Sequence, residues 1–277
     1  MLDLTPKSRP AANNAAKQLA LQLSRTMLRT VGEWDLIREG DRILVAISGG
    51  KDSYTLLDLL WRARRRAPVE FELIAYHLDQ GQPGYDGETL REWLEAFGTP
   101  FEIAHEDTYT AVVEDAEKRA GATYCRLCSR LRRGVLYSAA RRLGCNKIAL
   151  GHHRDDSLET LLLNLFYSGR LQAMPAIYTT NDGDLEVIRP LIECGETSIV
   201  RHAEHRGFPI LPCNLCGSQR DLKRVEIKRL LIDLEQKIPN VRQVMTAALK
   251  NVRPSHLLDA EVARAWLGQA DRFKARR

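Results

Sequence analysis

The sequence predicts an α/β fold: a parallel sheet with helices on both faces and a helical C-terminal extension. Three observations predict it. Short apolar runs alternate with longer amphipathic stretches, the pattern of strands joined by helical crossovers. The first run, Ile43-Leu44-Val45-Ala46-Ile47, ends at a glycine pair, as a buried strand entering a tight loop does. From about Thr197 the chain reads as helix to about Val252, interrupted by a cysteine pair.

The elements follow in order. Residues 1–14 are polar with two prolines and are expected to be disordered or loosely attached. Leu19, Leu23 and Met27 recur every four residues and predict a helix over 15–31. A strand spans Arg42 to Ser48. A helix follows from Ser53 to Trp61, with Leu56, Leu57, Leu59 and Leu60 on its apolar side. A second strand, Phe71 to Leu78, ends at Asp79, and Gly81, Pro83, Gly84 and Gly87 mark a loop. A helix over Glu88–Phe97, a strand over Phe101–Ala104 and a helix over Ser129–Leu143 come next. The fourth strand, Lys147 to Leu150, leads into a helix that ends near Tyr167. Glu186–Arg189 is a last short strand. The expected organisation is a loose segment over 1–15, one domain over 16–258 with cysteine-bearing insertions, and a basic tail over 259–277.

With 277 residues, 44% of them apolar and 28% charged, the chain can bury a core without disulfide staples. The net charge of +5 is unevenly spread. Arg62, Arg64, Arg65 and Arg66 form one run, Arg126 to Arg142 another, and the chain ends Arg272-Phe-Lys-Ala-Arg-Arg277. Such clusters suit a polyanion, although each is equally a solvated helix face. The N-terminus lacks the pattern of a signal peptide, and no apolar run approaches the roughly 18 residues of a membrane span. A cytoplasmic protein without a membrane partner is therefore expected. In that reducing compartment the six cysteines read as metal ligands, catalytic thiols or core residues before disulfides.

Ser48-Gly49-Gly50-Lys51-Asp52-Ser53 lies between the first strand and the first sheet helix. Two glycines let the backbone turn tightly toward an anion. The helix-start amides and dipole favour phosphate, and Lys51 adds a charge. The loop of kinases and GTPases would need glycine where Val45 stands and Ser or Thr at Asp52. The hexapeptide instead resembles the PP-loop of the ATP pyrophosphatases, which cleave ATP between the α- and β-phosphates and adenylate a substrate oxygen.

Gly151-His152-His153-Arg154-Asp155-Asp156 closes the fourth strand, and ligands of open α/β sheets sit at such strand ends. Asp155 and Asp156 suit Mg²⁺, which takes carboxylates together with phosphate oxygens. One of the two is expected to cap the following helix. His152 and His153 read as structural.

Cys125 and Cys128 form one Cys-x-x-Cys, Cys213 and Cys216 a second. Roughly eighty residues separate them, far more than in a compact zinc module. Spacing leaves zinc and an iron–sulfur cluster equally open, with a redox dithiol and a structural role behind them. Cys145 and Cys194 lie in apolar surroundings and read as core thiols.

Taken together, Ser48-Gly-Gly-Lys-Asp-Ser-Tyr54, Leu78-Asp-Gln80, Cys125-Arg-Leu-Cys-Ser-Arg-Leu-Arg-Arg-Gly134, Gly151–Asp156, Pro212-Cys-Asn-Leu-Cys-Gly-Ser-Gln219 and Asn251-Val-Arg-Pro-Ser-His-Leu257 resemble the tRNA-cytidine 2-sulfurtransferase family over about residues 20 to 258. The resemblance implies a PP-loop, adenine nucleotide alpha hydrolase-like domain. It implies ATP-dependent thiolation of cytidine to 2-thiocytidine in the tRNA anticodon loop, position 32 in the family, through an adenylated base. It also implies a [4Fe-4S] cluster on three cysteines, with one iron left open to carry sulfur. Carried over, Cys125, Cys128 and Cys216 are the ligands and Cys213 a spare, although the members of the second pair are hard to separate by sequence. Ser48 to Ser53, Asp79 and Gly151 would bind ATP. Asp52 and an aspartate of the 155–156 pair would hold Mg²⁺, and Arg132 would stabilise developing charge. Implied partners are tRNA, a sulfur donor such as a cysteine desulfurase, and a second copy in a homodimer. The segments 1–15 and beyond Leu258 match nothing in the family. Two other classes stay open: a zinc-containing PP-loop tRNA-modifying ligase, and a non-enzymatic RNA-binding protein on a vestigial nucleotide fold.

Overall fold

The computed structural model describes the backbone of residues 10–110, 113, 124–211 and 222–267, and side chains over the same stretches apart from 10–13 and 124–129. In chain order the elements are α1 (Pro10–Glu33), β1 (Asp41–Ile47), α2 (Lys51–Arg64), β2 (Phe71–Asp79), α3 (Glu88–Phe97), β3 (Phe101–His105), α4 (Tyr124–Arg142), β4 (Lys147–Ala149), α5 (Arg154–Tyr167), β5 (Ile177–Thr179), β6 (Glu186–Ile188) and α6 (Glu196–Arg206). Then come α7 (Leu222–Lys237), α8 (Val241–Lys250), a 3₁₀ turn (Pro254–His256) and α9 (Ala260–Leu267). Two compact units divide the chain between Arg229 and Leu230.

The first unit holds a six-stranded sheet in the order β3-β2-β1-β4-β6-β5. β3, β2, β1, β4 and β6 are mutually parallel, and β5 runs antiparallel to β6 at one edge. β1 shows why the sheet is covered twice. Ile43, Val45 and Ile47 face a cluster built from α1, α2, α3 and α6, which includes Met27, Leu57, Leu90 and Ile199. Leu44, between them, faces Leu136, Ala139 and Ala140 of α4. Successive strand residues point to opposite faces, so a strand buried on both sides reads as one unbroken apolar run. Fully burying each such side chain contributes about 1.5–3 kcal/mol.

The chain leaves β1 and returns to β1's other side as β4. The sheet order therefore reverses between these strands, and the loops leaving them flank the resulting crevice.

The structure alters several expectations. The expected helix over 15–31 begins earlier, at Pro10; proline's fixed φ suits a first helical position. Residues 1–9 lie outside the described residues. α2 starts at Lys51, two residues before the expected Ser53. The edge strand β5 was not expected. The helical stretch to Val252 is broken at Asn240, whose φ of +60° lies in the left-handed region. Within the expected tail, α9 occupies Ala260–Leu267, and 268–277 lie outside the described residues. Among the described residues no helix is long and apolar enough to cross a membrane.

Candidate active site

The first wall of the site is the turn after β1. Gly49 has φ +79°, and a Cβ there would meet Leu211 at 2.9 Å, so both conformation and space require glycine. Ser53 closes the turn. Its Oγ accepts from the Ser48 N–H at 3.1 Å and donates to the Gly50 carbonyl at 2.8 Å. No side chain caps the start of α2 at Gly50, which leaves the first-turn amides for an anion.

Lys51 stands at this turn, its Nζ 3.1 Å from Asp52 Oδ2 and 3.2 Å from Glu196 Oε1. Burial would lower the ammonium's pKa, but these two carboxylates outweigh it and hold the group above its ordinary value. Glu196 also takes Lys228 at 3.1 Å. Burial pushes its carboxyl up, and the two ammonium groups bring it below the usual range. Sequence reasoning missed Glu196. Its only local signal is the glycine before it, and its partners are remote in the chain.

The second wall follows β4. A Cβ on Gly151 would lie 3.0 Å from the Asp52 carbonyl carbon and 3.1 Å from the Ser53 nitrogen. The two loops thus touch backbone to backbone. The expected aspartate cap is corrected: the N-cap of α5 is His153. Asp156 is its reciprocal partner, accepting from the His153 N–H at 3.0 Å while its own N–H reaches His153 Nδ1 at 3.4 Å. The aspartate is thus a capping-box residue three positions on. Buried Asp155 works for the next element, accepting from the Glu196 N–H at 2.8 Å at the start of α6. His153 Nε2 lies 3.6 Å from Asp52 Oδ1 and 3.5 Å from Asp156 Oδ2. Asp52 Oδ1 is buried without a hydrogen-bond partner. A buried carboxylate oxygen left without a donor suits a hard cation. Arg189 Nε–H donates to His152 Nδ1 at 3.3 Å.

Between the phosphate turn, β2 and α4 lies a cavity of about 270 Å³ lined by Ser48, Gly50, His77, Gln82, Tyr85, Arg132 and neighbours. His77 Nδ1–H donates to the Ile47 carbonyl at 2.7 Å, which leaves Nε2 to accept from the Tyr85 hydroxyl at 2.5 Å. Burial lowers its pKa, so the ring is neutral. Burial, with Asp79 and Asp86 nearby, pushes the Tyr85 phenol up to about 12. Asp79 is drawn toward the loop beyond β2, where it accepts from the Gly81 N–H and pairs with His105, both at 2.9 Å.

Cys125 and Cys128 fall in the first turns of α4, three residues apart and hence on one side of the helix. Their side chains lie outside the described residues. Arg132, one turn further, lines the cavity with the phosphate loop. Cys213 and Cys216 also lie outside the described residues. The chain approaches them from the phosphate loop, because the Leu211 N–H donates to the Gly49 carbonyl at 2.9 Å. Tyr54 of α2 holds the Pro209 carbonyl at 2.9 Å. Cys145 and Cys194 are buried core thiols as expected, and burial pushes Cys194 up to about 12.

Sheet order, phosphate turn and the second glycine loop together define a PP-loop nucleotide-binding enzyme. The chain matches the family model described as PP-loop domain over residues 18–212. It is 53% identical over 242 residues to the tRNA-cytidine(32) 2-sulfurtransferase of Sorangium cellulosum, covering 87% of this chain and 85% of that one. It is 48% identical over 259 residues to the enzyme of the same description from Chromohalobacter salexigens, covering 94% and 89%. This chain belongs to the tRNA-cytidine(32) 2-sulfurtransferase family. Among solved structures it is similar to the U34-tRNA thiolase NcsA from Methanococcus maripaludis, solved with its [4Fe-4S] cluster. The TM-score is 0.68 at 21% identity, covering 86% of this chain and 81% of that one, a likeness of fold.

Proposed function

We propose that this chain is a cytoplasmic, ATP-dependent and iron–sulfur-dependent transferase that converts cytidine 32 of tRNA to 2-thiocytidine. One observation carries the reading: Arg132, on the helix that begins with Cys125 and Cys128, shares a cavity with the phosphate turn Ser48–Gly50. This supports a reading in which adenylation and thiol chemistry share one site.

ATP sits with its phosphates on the first-turn amides of α2 and on Lys51. Asp52 and Asp156 hold Mg²⁺, a role supported by the unpartnered Asp52 Oδ1. The C2 oxygen of the cytosine attacks the α-phosphate and pyrophosphate leaves. That oxygen, bonded to AMP, is now a good leaving group, and sulfur replaces it at C2 as AMP departs. Arg132 supplies positive charge near the reacting phosphate. Asp155 and His153 hold the loops in register. Cys125, Cys128 and Cys216 would be the three thiolates that hold a [4Fe-4S] cluster, which when bound would carry the sulfur delivered by a donor. An unpaired anticodon-loop base reaches such a site without melting a helix. A sulfur donor such as a cysteine desulfurase and a homodimeric state complete the proposal.

Anaerobically purified protein tests this reading. It should be brown, contain iron and labile sulfide, and form AMP and 2-thiocytidine in equal amounts from ATP, tRNA and a supplied sulfur donor. Colourless protein that contains zinc and still forms AMP would favour the ligase reading instead.

A further inference from the structure

The start of α7 presents a charged surface that the nucleotide site does not use. Residues 222–229 carry four cations, Lys223, Arg224, Lys228 and Arg229, against one carboxylate, Glu226. All five are exposed. The surface is continuous with the phosphate turn, because Glu196 bridges Lys51 at 3.2 Å and Lys228 at 3.1 Å. Arg224 lies 3.8 Å from buried Glu159 of α5. At the far end of α5, two aromatic rings stand in solvent, Phe166 at 54% and Tyr167 at 46% exposure. Tyr167 is held in place: its hydroxyl donates to Glu226 at 3.0 Å, and the Lys223 ammonium lies 4.6 Å from its ring centroid. Exposed Arg170 follows three residues later.

We propose that the end of α5 and the first two turns of α7 form a docking surface for the RNA backbone on either side of the reacting base. The inference rests on the tRNA reading above and extends it to particular residues. The cations of α7 and the exposed Tyr167 ring that contacts them form one strip, which suits nucleotides, since these offer both phosphates and bases to stack. A protein-binding surface would be poorer in lysine at its centre. An RNA with one base at the phosphate turn must lay its neighbouring phosphates close to Lys228, one carboxylate away from Lys51.

The test is anisotropy of labelled tRNA titrated with the full-length protein at several salt concentrations. Lys223→Glu/Arg229→Glu should bind roughly tenfold more weakly at about 0.15 M salt, with a salt slope shallower by about one to two. Lys223→Arg/Arg229→Lys should bind as the wild type does. Tyr167→Ala should lose on the order of tenfold with little change in slope, because stacking releases no counterions. ATP affinity without RNA should be unchanged in all three. If the wild type binds and thiolates tRNA and the variants match it in affinity and slope, the surface is wrong and the function stands. If the variants bind tRNA normally but lose turnover with the sulfur donor, a protein docks here and the proposal is overturned. A wild type that neither binds nor thiolates tRNA overturns both readings.

Discussion

Gly151 and Asp52 are in backbone contact: a methyl group on Gly151 would sit 3.0 Å from the Asp52 carbonyl carbon. The loop after β4 is thereby pressed onto the phosphate turn after β1, at the crevice where the sheet order reverses. His153 there lies 3.6 Å from Asp52 and 3.5 Å from Asp156.

Gly151→Ala tests that contact. The methyl meets the backbone of the phosphate turn, so one loop must shift. The expected cost is about 1–3 kcal/mol of stability, together with a roughly tenfold or greater loss of ATP affinity. Urea unfolding and calorimetric titration with ATP measure the two effects.

Glu196→Gln should separate binding from chemistry. The carboxylate competes with phosphate for Lys51, and its removal takes a negative charge from beside a polyanion site. ATP should bind about three- to tenfold more tightly, while turnover falls because Lys51 loses a fixed partner. Equal ATP affinity in mutant and wild type would remove Glu196 from the account.

How far these features could be read in advance depends on where their signal lies. β1, the phosphate turn and α2 were legible because a strand buried on both faces leaves an apolar run, and the turn's geometry requires glycine at 49. β5 was not, because it has three residues and pairs only along an edge. The α5 cap was assigned to an aspartate because aspartate is a favoured capping residue and histidine is not; His153 caps here because Asp156 reciprocates. Glu196 was invisible because its meaning comes from Lys51, far away in sequence. Gly49 and Gly151 were legible because backbone shape and close approach require glycine there.

His152 gives a pH prediction. Burial first, then the neighbouring Arg189 guanidinium, lowers its pKa to about 4 from the ordinary 6.5. Between those values the unfolded chain binds the extra proton, so stability rises with pH across the window. The contribution, at most about 3 kcal/mol, is fully present above pH 6.5 and is lost as pH falls toward 4. His152→Gln keeps an acceptor for Arg189 without titrating. Urea midpoints at pH 7 and pH 4.5 should therefore differ less in the variant than in the wild type, and an equal difference would count against the assignment.

The central claim is that one cavity joins ATP activation at Lys51 to thiol chemistry at Cys128. The most direct measurement is mass spectrometry of tRNA nucleosides from a strain lacking the gene and complemented in turn with wild type, Lys51→Ala and Cys128→Ala. The account predicts that 2-thiocytidine disappears on deletion, returns with the wild type, and stays absent with both variants although each accumulates as folded protein. Undiminished 2-thiocytidine in the deletion strain, or its full return with either variant, would contradict it.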